Sequence, residues 1–168
     1  MTVMPLHGDP EPAAVDPPGR IVLDEVSKKI IEQLQQDGRR PYASIAAAVG
    51  LSEAAVRQRV QRLLRAGVVQ IVAVTNPLHV GFTRQAMVGI RVDGPIDPVV
   101  AAVSALDEVS YVVVTAGSFD LLVEVVCTDD EHLLRVINHH LRAVDGVRST
   151  ETFVYLDLSK QTYTWGTR

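Results

Sequence analysis

Residues 50–67 of this chain read GLSEAAVRQRVQRLLRAG, and this stretch decides how the N-terminal half folds. Gly50 favours a turn. The hydroxyl of Ser52 can accept a hydrogen bond from an amide two or three residues later, so a helix is predicted over 52–66. Its apolar positions recur at helical spacing and form a stripe about 100° wide, made up of Val56, Val60, Leu63 and Leu64. The helix is therefore expected to pack one face on a core and to leave the other face open.

The open face carries small, amide and basic side chains, as expected of a helix that enters the major groove of DNA. Alanine permits close approach and touches thymine methyls, and glutamine can pair with adenine. We therefore expect base contacts from Ala54, Ala55 and Gln58, with Ser52 fixing the start of the helix. Phosphate contacts are expected from Arg57, Arg62 and Arg65, and contacts with the flanking backbone from Arg39 and Arg40.

Two plainer interpretations of this helix stay open. A basic helix can be a solvated face with no partner. Arg59 lies nearer the core edge than the other arginines, so it suits a structural ion pair as well as a phosphate contact.

The charge distribution supports a local nucleic-acid interface, although the chain as a whole has a net charge of −4. Residues 21–75 hold eight Lys/Arg against five Asp/Glu, a net +3, whereas residues 76–168 hold seven against twelve, a net −5. Within residues 39–66, six arginines accompany a single acid, Glu53. Phosphates respond to such a local patch more than to the overall charge.

Composition and length limit the class of protein. The chain has 168 residues, 47% of them hydrophobic, and no apolar run approaches the roughly 18 residues that cross a bilayer. A cytoplasmic protein is expected. The single cysteine, Cys127, falls in an apolar run and is interpreted as a buried strand residue, so no disulfide framework is available.

Hydrophobic periodicity divides the chain into two domains. Helices are predicted over residues 24–36, 42–49 and 52–66, followed by a β-branched strand over 68–74, which is the order of a winged helix-turn-helix. Strand, helix, strand, strand, helix, strand then follow over residues 84–92, 97–106, 110–115, 119–127, 129–145 and 150–158. That order is the ferredoxin-like βαββαβ plan, so the fold class is α+β.

The predicted boundaries follow from these elements. They are a disordered tail over 1–20, a winged helix-turn-helix domain over 21–75, a linker over 76–83, a βαββαβ ligand-binding and oligomerisation domain over 84–160, and a C-terminal tail over 161–168.

Little in the sequence points to catalysis or to a metal. His132, His139 and His140 fall on the last predicted helix without the pair at four-residue spacing that a metal site favours, so we expect them to face solvent or another subunit. There is no glycine-rich phosphate loop or nucleophile elbow. We predict no enzyme activity, no metal and no cofactor.

The segment 115–120 between two predicted strands is the candidate ligand loop. Gly117 either permits a tight turn or, with its neighbours, offers polar groups to a small effector. The candidate effector-binding residues are Thr115, Gly117, Ser118 and Asp120.

These motifs resemble the Lrp/AsnC family of leucine-responsive, or feast/famine, transcriptional regulators over about residues 21–160. The resemblance rests on Val49-Gly50-Leu51-Ser52 with Arg59 and Gly67, and on Thr115-Ala116-Gly117-Ser118-Phe119-Asp120, which is similar to the family's Gly-x-Tyr/Phe-Asp segment. It implies a DNA-binding domain, an effector domain that dimerises and often forms octamers, and an amino acid as effector. Ser27, Pro41 and Ser44 depart from the family's usual residues in local capping.

The sequence thus predicts a sequence-specific transcriptional regulator that binds double-stranded DNA and a small effector, expected to be an amino acid, as a homodimer or larger oligomer. Two alternatives stay open. One is an enzyme of the same two-domain plan that resembles tetrapyrrole decarboxylases, with His132 and His139 as weak candidates. The other is an architectural DNA-binding protein without an effector.

Overall fold

The computed structural model describes residues 23–168, so the predicted disordered tail over 1–20 lies outside the described residues. The chain forms two compact units. The first extends to Val72 and includes the C-terminal residues Thr162–Arg168, and the second is Ala73–Gln161. No helix among the described residues is both long and apolar enough to cross a membrane.

Three helices build the first unit: α1 (Glu25–Gln36), α2 (Tyr42–Val49) and α3 (Glu53–Arg65). Asp24 caps α1 by accepting a hydrogen bond from the amide of Ser27 at 2.8 Å. Pro41 precedes α2 without any side-chain cap, and Gly50 ends that helix at a φ of 71°, which glycine adopts at little cost. The predicted helix positions are confirmed to within about a residue.

The core of the first unit lies where the three helices meet. Its buried members come from all three and are Ile30, Leu34, Ile45, Ala46, Val56 and Val60. Leu63 is also buried, but Leu64 is 37% exposed, so the apolar stripe of α3 is narrower than predicted.

The predicted strand over residues 68–74 is wrong. This segment has no regular secondary structure, and its larger side chains Ile71, Val72 and Val74 are exposed. A β-branched run becomes a strand only where another strand supplies hydrogen bonds. No strand in the described part of the chain pairs with it. The helix-turn-helix is therefore present without the strand of a wing.

The second unit has the predicted βαββαβ order. Its elements are β1 (Arg84–Val92), α4 (Ile96–Ser104), β2 (Val109–Val114), β3 (Leu121–Cys127), α5 (Asp130–Arg135) with a π-helical continuation over Val136–Leu141, and β4 (Val147–Val154). The strands form one antiparallel sheet in the order β2-β3-β1-β4. The predicted fold class is confirmed.

Alternate side chains of the strands face the helices and are buried against them. Ala86, Val88 and Ile90 of β1 share this core with Leu121, Val123, Val125 and Cys127 of β3. Val99 and Val103 of α4 and Leu133, Val136 and Leu141 of the last helix cover them. Leu134 is 59% exposed because it lies one helical step away from Leu133.

The last strand begins and ends earlier than predicted. It pairs with β1 from Val147 opposite Val92 to Val154 opposite Ala86. After one more hydrogen bond, from the amide of Tyr155 to the carbonyl of Gln85, β1 approaches its own end and can offer no further partner. Residues 156–158 therefore leave the sheet.

The C-terminal residues lie against α1 within the first unit. The amide of Gly166 donates to Oε1 of Gln35 at 3.1 Å, and the hydroxyl of Thr167 donates to Oε1 of Glu32 at 2.7 Å. Part of the segment assigned to a C-terminal tail is thus attached to a helix.

Candidate nucleic-acid interface and ligand loop

The start of α3 is oriented by its cap and by its buried face. The hydroxyl of Ser52 accepts a hydrogen bond from the amide of Ala55 at 3.2 Å, as the sequence predicted. Val56 and Val60 are fully buried and hold the opposite side of the helix. Ala54 and Gln58 are exposed and Ala55 is half-buried, so these three side chains are available near one end of the helix.

Arg62 and Arg65 lie on the same concave surface as two of the predicted base readers. An open concavity of about 350 Å³ is lined by Leu51, Ala55, Gln58, Arg59, Arg62 and Arg65. Within residues 23–168, no carboxylate forms an ion pair with Arg62 or Arg65. Their guanidinium groups are therefore ready to bind an external anion.

The Arg57 side chain contacts two neighbouring side chains but remains accessible to solvent. Its guanidinium donates to Glu53 one turn earlier at 2.8 Å, and it lies 5.2 Å from the centre of the Tyr42 ring. The Arg57 and Glu53 side chains are both at least half exposed, and such surface pairs contribute little stability. A phosphate can replace Glu53 at little cost.

Arg59 forms a structural ion pair, which is one of the two roles that the sequence allowed for it. Its guanidinium donates to the carboxylate of Asp24 at 2.7 Å and to the hydroxyl of Ser27 at 3.1 Å. Hydrogen bonds from Ser27 and Arg59 hold the pKa of Asp24 well below its ordinary value. This pair joins the middle of α3 to the N-terminus of α1.

Arg39 and Arg40 sit in the turn between α1 and α2. Arg40 donates to the side-chain oxygens of Gln33 and Gln36 on α1, which holds its half-buried side chain against that helix. The side chain of Arg39 is exposed, and its amide donates to Asp37 at 2.9 Å. Arg39 is the more accessible of the two.

In the second unit, the segment 115–120 forms a closed loop attached to the end of β1. The hydroxyl of Thr115 donates to the carbonyl of Phe119 at 2.6 Å. Asp120 is joined to β1 twice, since its amide donates to the carbonyl of Ile90 at 2.9 Å and its carboxylate accepts from the amide of Val92 at 2.8 Å. Thr115 and Asp120 therefore shape the loop.

Gly117 and Ser118 are exposed at the tip of this loop. Gly117 does not adopt a positive φ, and a β-carbon placed on it would meet no atom within 4 Å. A tight turn therefore does not by itself require glycine here, and the open space around it is compatible with an approaching ligand.

The sequence analysis missed an aromatic cluster beside the loop. The ring of Phe119 lies directly over Gly89, where an added β-carbon would be only 2.7 Å from ring atoms. Phe153 packs edge-on at 6.2 Å between ring centres, and the guanidinium of Arg91 lies 4.5 Å from the Phe119 ring centre. A glycine inside a strand, which often marks such a close approach, was the available signal.

The sequence analysis also missed the surroundings of the histidines. Glu108 lies between His132 and His140, with carboxylate oxygens 3.2 Å from Nε2 of the first and 3.5 Å from Nδ1 of the second. Burial alone would raise the pKa of Glu108, but hydrogen bonds from its own amide and from His132 lower it. His139 is exposed, whereas His132 and His140 are only partly exposed because they pack against Glu108; the expectation that these histidines face solvent or another subunit stays a prediction as far as another subunit is concerned.

Neither this cluster nor the cysteine forms an evident reactive site. In the part of the chain described by the structure, no group of three or more His, Cys, Asp or Glu side chains is arranged to hold a metal ion. Cys127 is buried in the core, and burial raises the pKa of its thiol to about 11. A thiol of that pKa is a weak nucleophile at neutral pH.

An exposed, capped helix in a helix-turn-helix, together with an α+β domain on the same chain, defines a DNA-binding transcriptional regulator. Residues 23–64 match the model of the AsnC-type helix-turn-helix domain, and residues 82–168 match that of a C-terminal dimeric α+β barrel domain of AsnC-type regulators. The chain belongs to the Lrp/AsnC family, and the resemblance seen in the sequence is confirmed.

Relatives and solved structures agree with this assignment. The chain is 33% identical to an uncharacterized HTH-type transcriptional regulator of Pyrococcus abyssi, over 88% of this chain and 92% of the relative. It superposes on Escherichia coli AsnC with a TM-score of 0.73 and 25% identity, covering 84% and 97% of the two chains. A Neisseria meningitidis transcriptional regulator solved as a complex with L-Met gives a TM-score of 0.75 and 25% identity, covering 85% and 96%.

Proposed function

We propose that this protein is a sequence-specific transcriptional regulator whose α3 reads DNA and whose second domain binds an amino acid. The DNA-binding part of this proposal rests on the side chains exposed on the surface of α3. The side chains of Ala55 and Gln58 line one concavity with the accessible guanidinium groups of Arg62 and Arg65, and Ala54 is exposed near the start of the same helix. Base contacts specify sequence, while phosphate contacts supply affinity and position.

The roles of the arginines differ because their present partners differ. Arg62 and Arg65 bind phosphates directly, and Arg57 exchanges its exposed pair with Glu53 for a phosphate. Arg39 and Arg40 lie before α2, where they reach the flanking backbone, Arg39 more readily. Ser52 acts through the geometry of the helix start that it caps.

The effector site lies at the loop formed by Thr115, Gly117, Ser118 and Asp120. Thr115 and Asp120 hold the loop's shape through hydrogen bonds to its own backbone and to β1. Gly117 and Ser118 then offer an amide and a hydroxyl at an open position. The relative solved with L-Met supports an amino acid as the class of ligand.

Dimerisation uses the face of the sheet that does not carry the helices. The matched domain model is described as dimeric. On this face β1, β3 and β4 present apolar side chains that the unit itself leaves partly uncovered, including Met87, Leu122 and Phe153. Effector binding either changes how such dimers assemble, for example into octamers, or changes how the dimer or octamer places α3 on DNA.

Because the protein acts on DNA, its site of function is the cytoplasm.

The experiment that tests DNA recognition is selection of duplexes from a random library by the full chain and by two variants. Gln58→Ala is expected to change the selected sequence because it removes an amide that reads adenine. Gln70→Ala removes an exposed glutamine outside the helices and is the matched control, expected to leave the selected sequence unchanged. Recovery of one common sequence by all three proteins would contradict base reading by Gln58, and recovery of no preferred sequence would favour an architectural role.

A further inference from the structure

The guanidinium of Arg91 is held beside the candidate ligand loop by the end of β1. Asp120 of the loop bonds to Ile90 and Val92, the two residues that flank Arg91. On the open face of the sheet, the Arg91 guanidinium lies 4.5 Å from the centre of the Phe119 ring. Arg91 and the loop therefore belong to one local structure, although they are separated in sequence.

The Phe119 ring contacts the Arg91 guanidinium without supplying an oxygen or nitrogen acceptor for its N–H donors. The Phe119 ring is held in place by its contact with Gly89 and by the edge of Phe153. The N–H donors of a guanidinium lie in its own plane. Those donors form a planar fork of the kind that binds a carboxylate through two parallel hydrogen bonds.

No carboxylate of the described residues uses this fork. The ion pairs within residues 23–168 do not include Arg91. Of the acids near Arg91, Asp120 accepts from the amide of Val92, Asp93 lies 3.7 Å from Arg148, and Glu151, opposite Gly89 on β4, forms no ion pair with Arg91. Arg91 is nevertheless half-buried. Removing a charged group from water is costly unless a partner compensates it.

We infer that Arg91 binds the carboxylate of the effector and selects ligands that carry one. This inference rests on the proposed effector site, to which it adds a residue and a required chemical group. The loop contributes its backbone and hydroxyl groups, and the arginine supplies the countercharge. A ligand with the same side chain but an amide in place of the carboxylate offers no anion to Arg91 and binds more weakly.

The test begins with a thermal-shift screen of the full-length protein against the twenty L-amino acids, since a ligand of the native state raises its stability. Titrations then compare each amino acid that raises Tm with its carboxamide. The wild-type protein is expected to prefer the acid by about 10-fold to 100-fold, the range that a charge-assisted hydrogen bond supplies. Equal binding of the acid and the amide overturns the inference without any variant.

Variants locate the effect at Arg91. Arg91→Gln is expected to lose that preference by binding the acid about 10-fold to 100-fold more weakly, while its binding of the amide changes little. Arg91→Lys, which keeps the charge but not the fork, is expected to bind the acid with intermediate affinity. Arg135→Gln, which removes an exposed arginine of the second unit that pairs with Glu131, is the matched control and should behave as wild type.

The possible results distinguish a failure of the role of Arg91 from a failure of the proposed effector site on which it rests. If wild type responds to none of the twenty amino acids, the proposed effector class fails and the role of Arg91 falls with it. If wild type and Arg91→Gln bind the acid equally, only the role of Arg91 is wrong. A change of dimer mass in Arg91→Gln, with the preference for the acid retained, instead identifies Arg91 as a residue that pairs with a second copy of the chain.

Discussion

Arg59, in the middle of α3, donates a 2.7 Å hydrogen bond to the carboxylate of Asp24, the residue that caps α1. One acidic side chain therefore starts the first helix and positions the helix that carries the proposed DNA-binding face. Because hydrogen bonds from Ser27 and Arg59 lower the pKa of Asp24 in the folded state, the ionised form is the one that stabilises the fold.

This relationship predicts a specific pH dependence. A lowered folded-state pKa contributes stability fully above the unfolded pKa, near 3.9, and loses that contribution as the pH falls through the folded value. Asp24→Asn keeps a capping oxygen but removes the charge. The difference in Tm between wild type and Asp24→Asn should be largest near pH 7 and shrink below about pH 4.

Asp107→Asn is the control for that measurement, because the Asp107 side chain is exposed and forms no ion pair within residues 23–168. It should match wild type across the pH range. A constant difference in Tm between wild type and Asp24→Asn from pH 7 to below pH 3 would contradict stabilisation by the charged pair.

Gly89→Ala is expected to destabilise the second unit. The added β-carbon would lie 2.7 Å from the Phe119 ring, which Phe153 and Arg91 hold in place. Overpacking of this kind costs about 1–3 kcal/mol, measurable by urea denaturation at fixed protein concentration. In a Phe119→Ala background the same substitution should cost less, because the ring is gone. Equal costs in both backgrounds would show that Gly89 and Phe119 do not interact.

Gly117 provides the contrasting case in the ligand loop. A β-carbon there meets no atom within 4 Å and the backbone φ is not positive, so Gly117→Ala should change stability by no more than about 0.5 kcal/mol. Gly117→Leu fills the open space with a larger side chain and should abolish the thermal shift caused by an amino acid while leaving the ligand-free Tm near wild type. A full ligand response in Gly117→Leu would remove this loop from the effector site.

Features set by local sequence were the ones that could be predicted. Ser52 caps the helix assigned to it, and Asp24 and Asp129 cap the helices predicted to begin at those residues, since a cap depends on residues two or three positions away. The strand predicted over residues 84–92 likewise forms, with its alternate residues Ala86, Val88 and Ile90 in the core. These patterns were sufficient for the three helices of the first unit and for the order of elements in the second.

Features that depend on contacts between distant parts of the chain could not be predicted from the sequence in this way. Residues 68–74 have the composition of a strand, but pairing requires a neighbour that composition does not reveal. Glu108 meets His132, 24 residues later in the chain, only through the tertiary fold of the second unit. The arrangement of Arg91 on Phe119 over Gly89 depends on the sheet register between strands. The candidate ligand loop was therefore located from the sequence without its neighbouring arginine.

DNA binding by α3 is tested most directly by the salt dependence of affinity in Arg62→Ala, measured by fluorescence anisotropy on a selected duplex and on an unrelated one. Arg62 lies on the concave face of α3, whereas the control Arg135→Ala removes an exposed arginine of the second unit that pairs with Glu131. Loss of one phosphate contact should weaken binding to both duplexes by a similar factor and reduce the slope of log K against log salt by about 0.9. Arg135→Ala should leave both quantities unchanged. A wild-type slope and wild-type affinity in Arg62→Ala would contradict phosphate binding by this face of the helix.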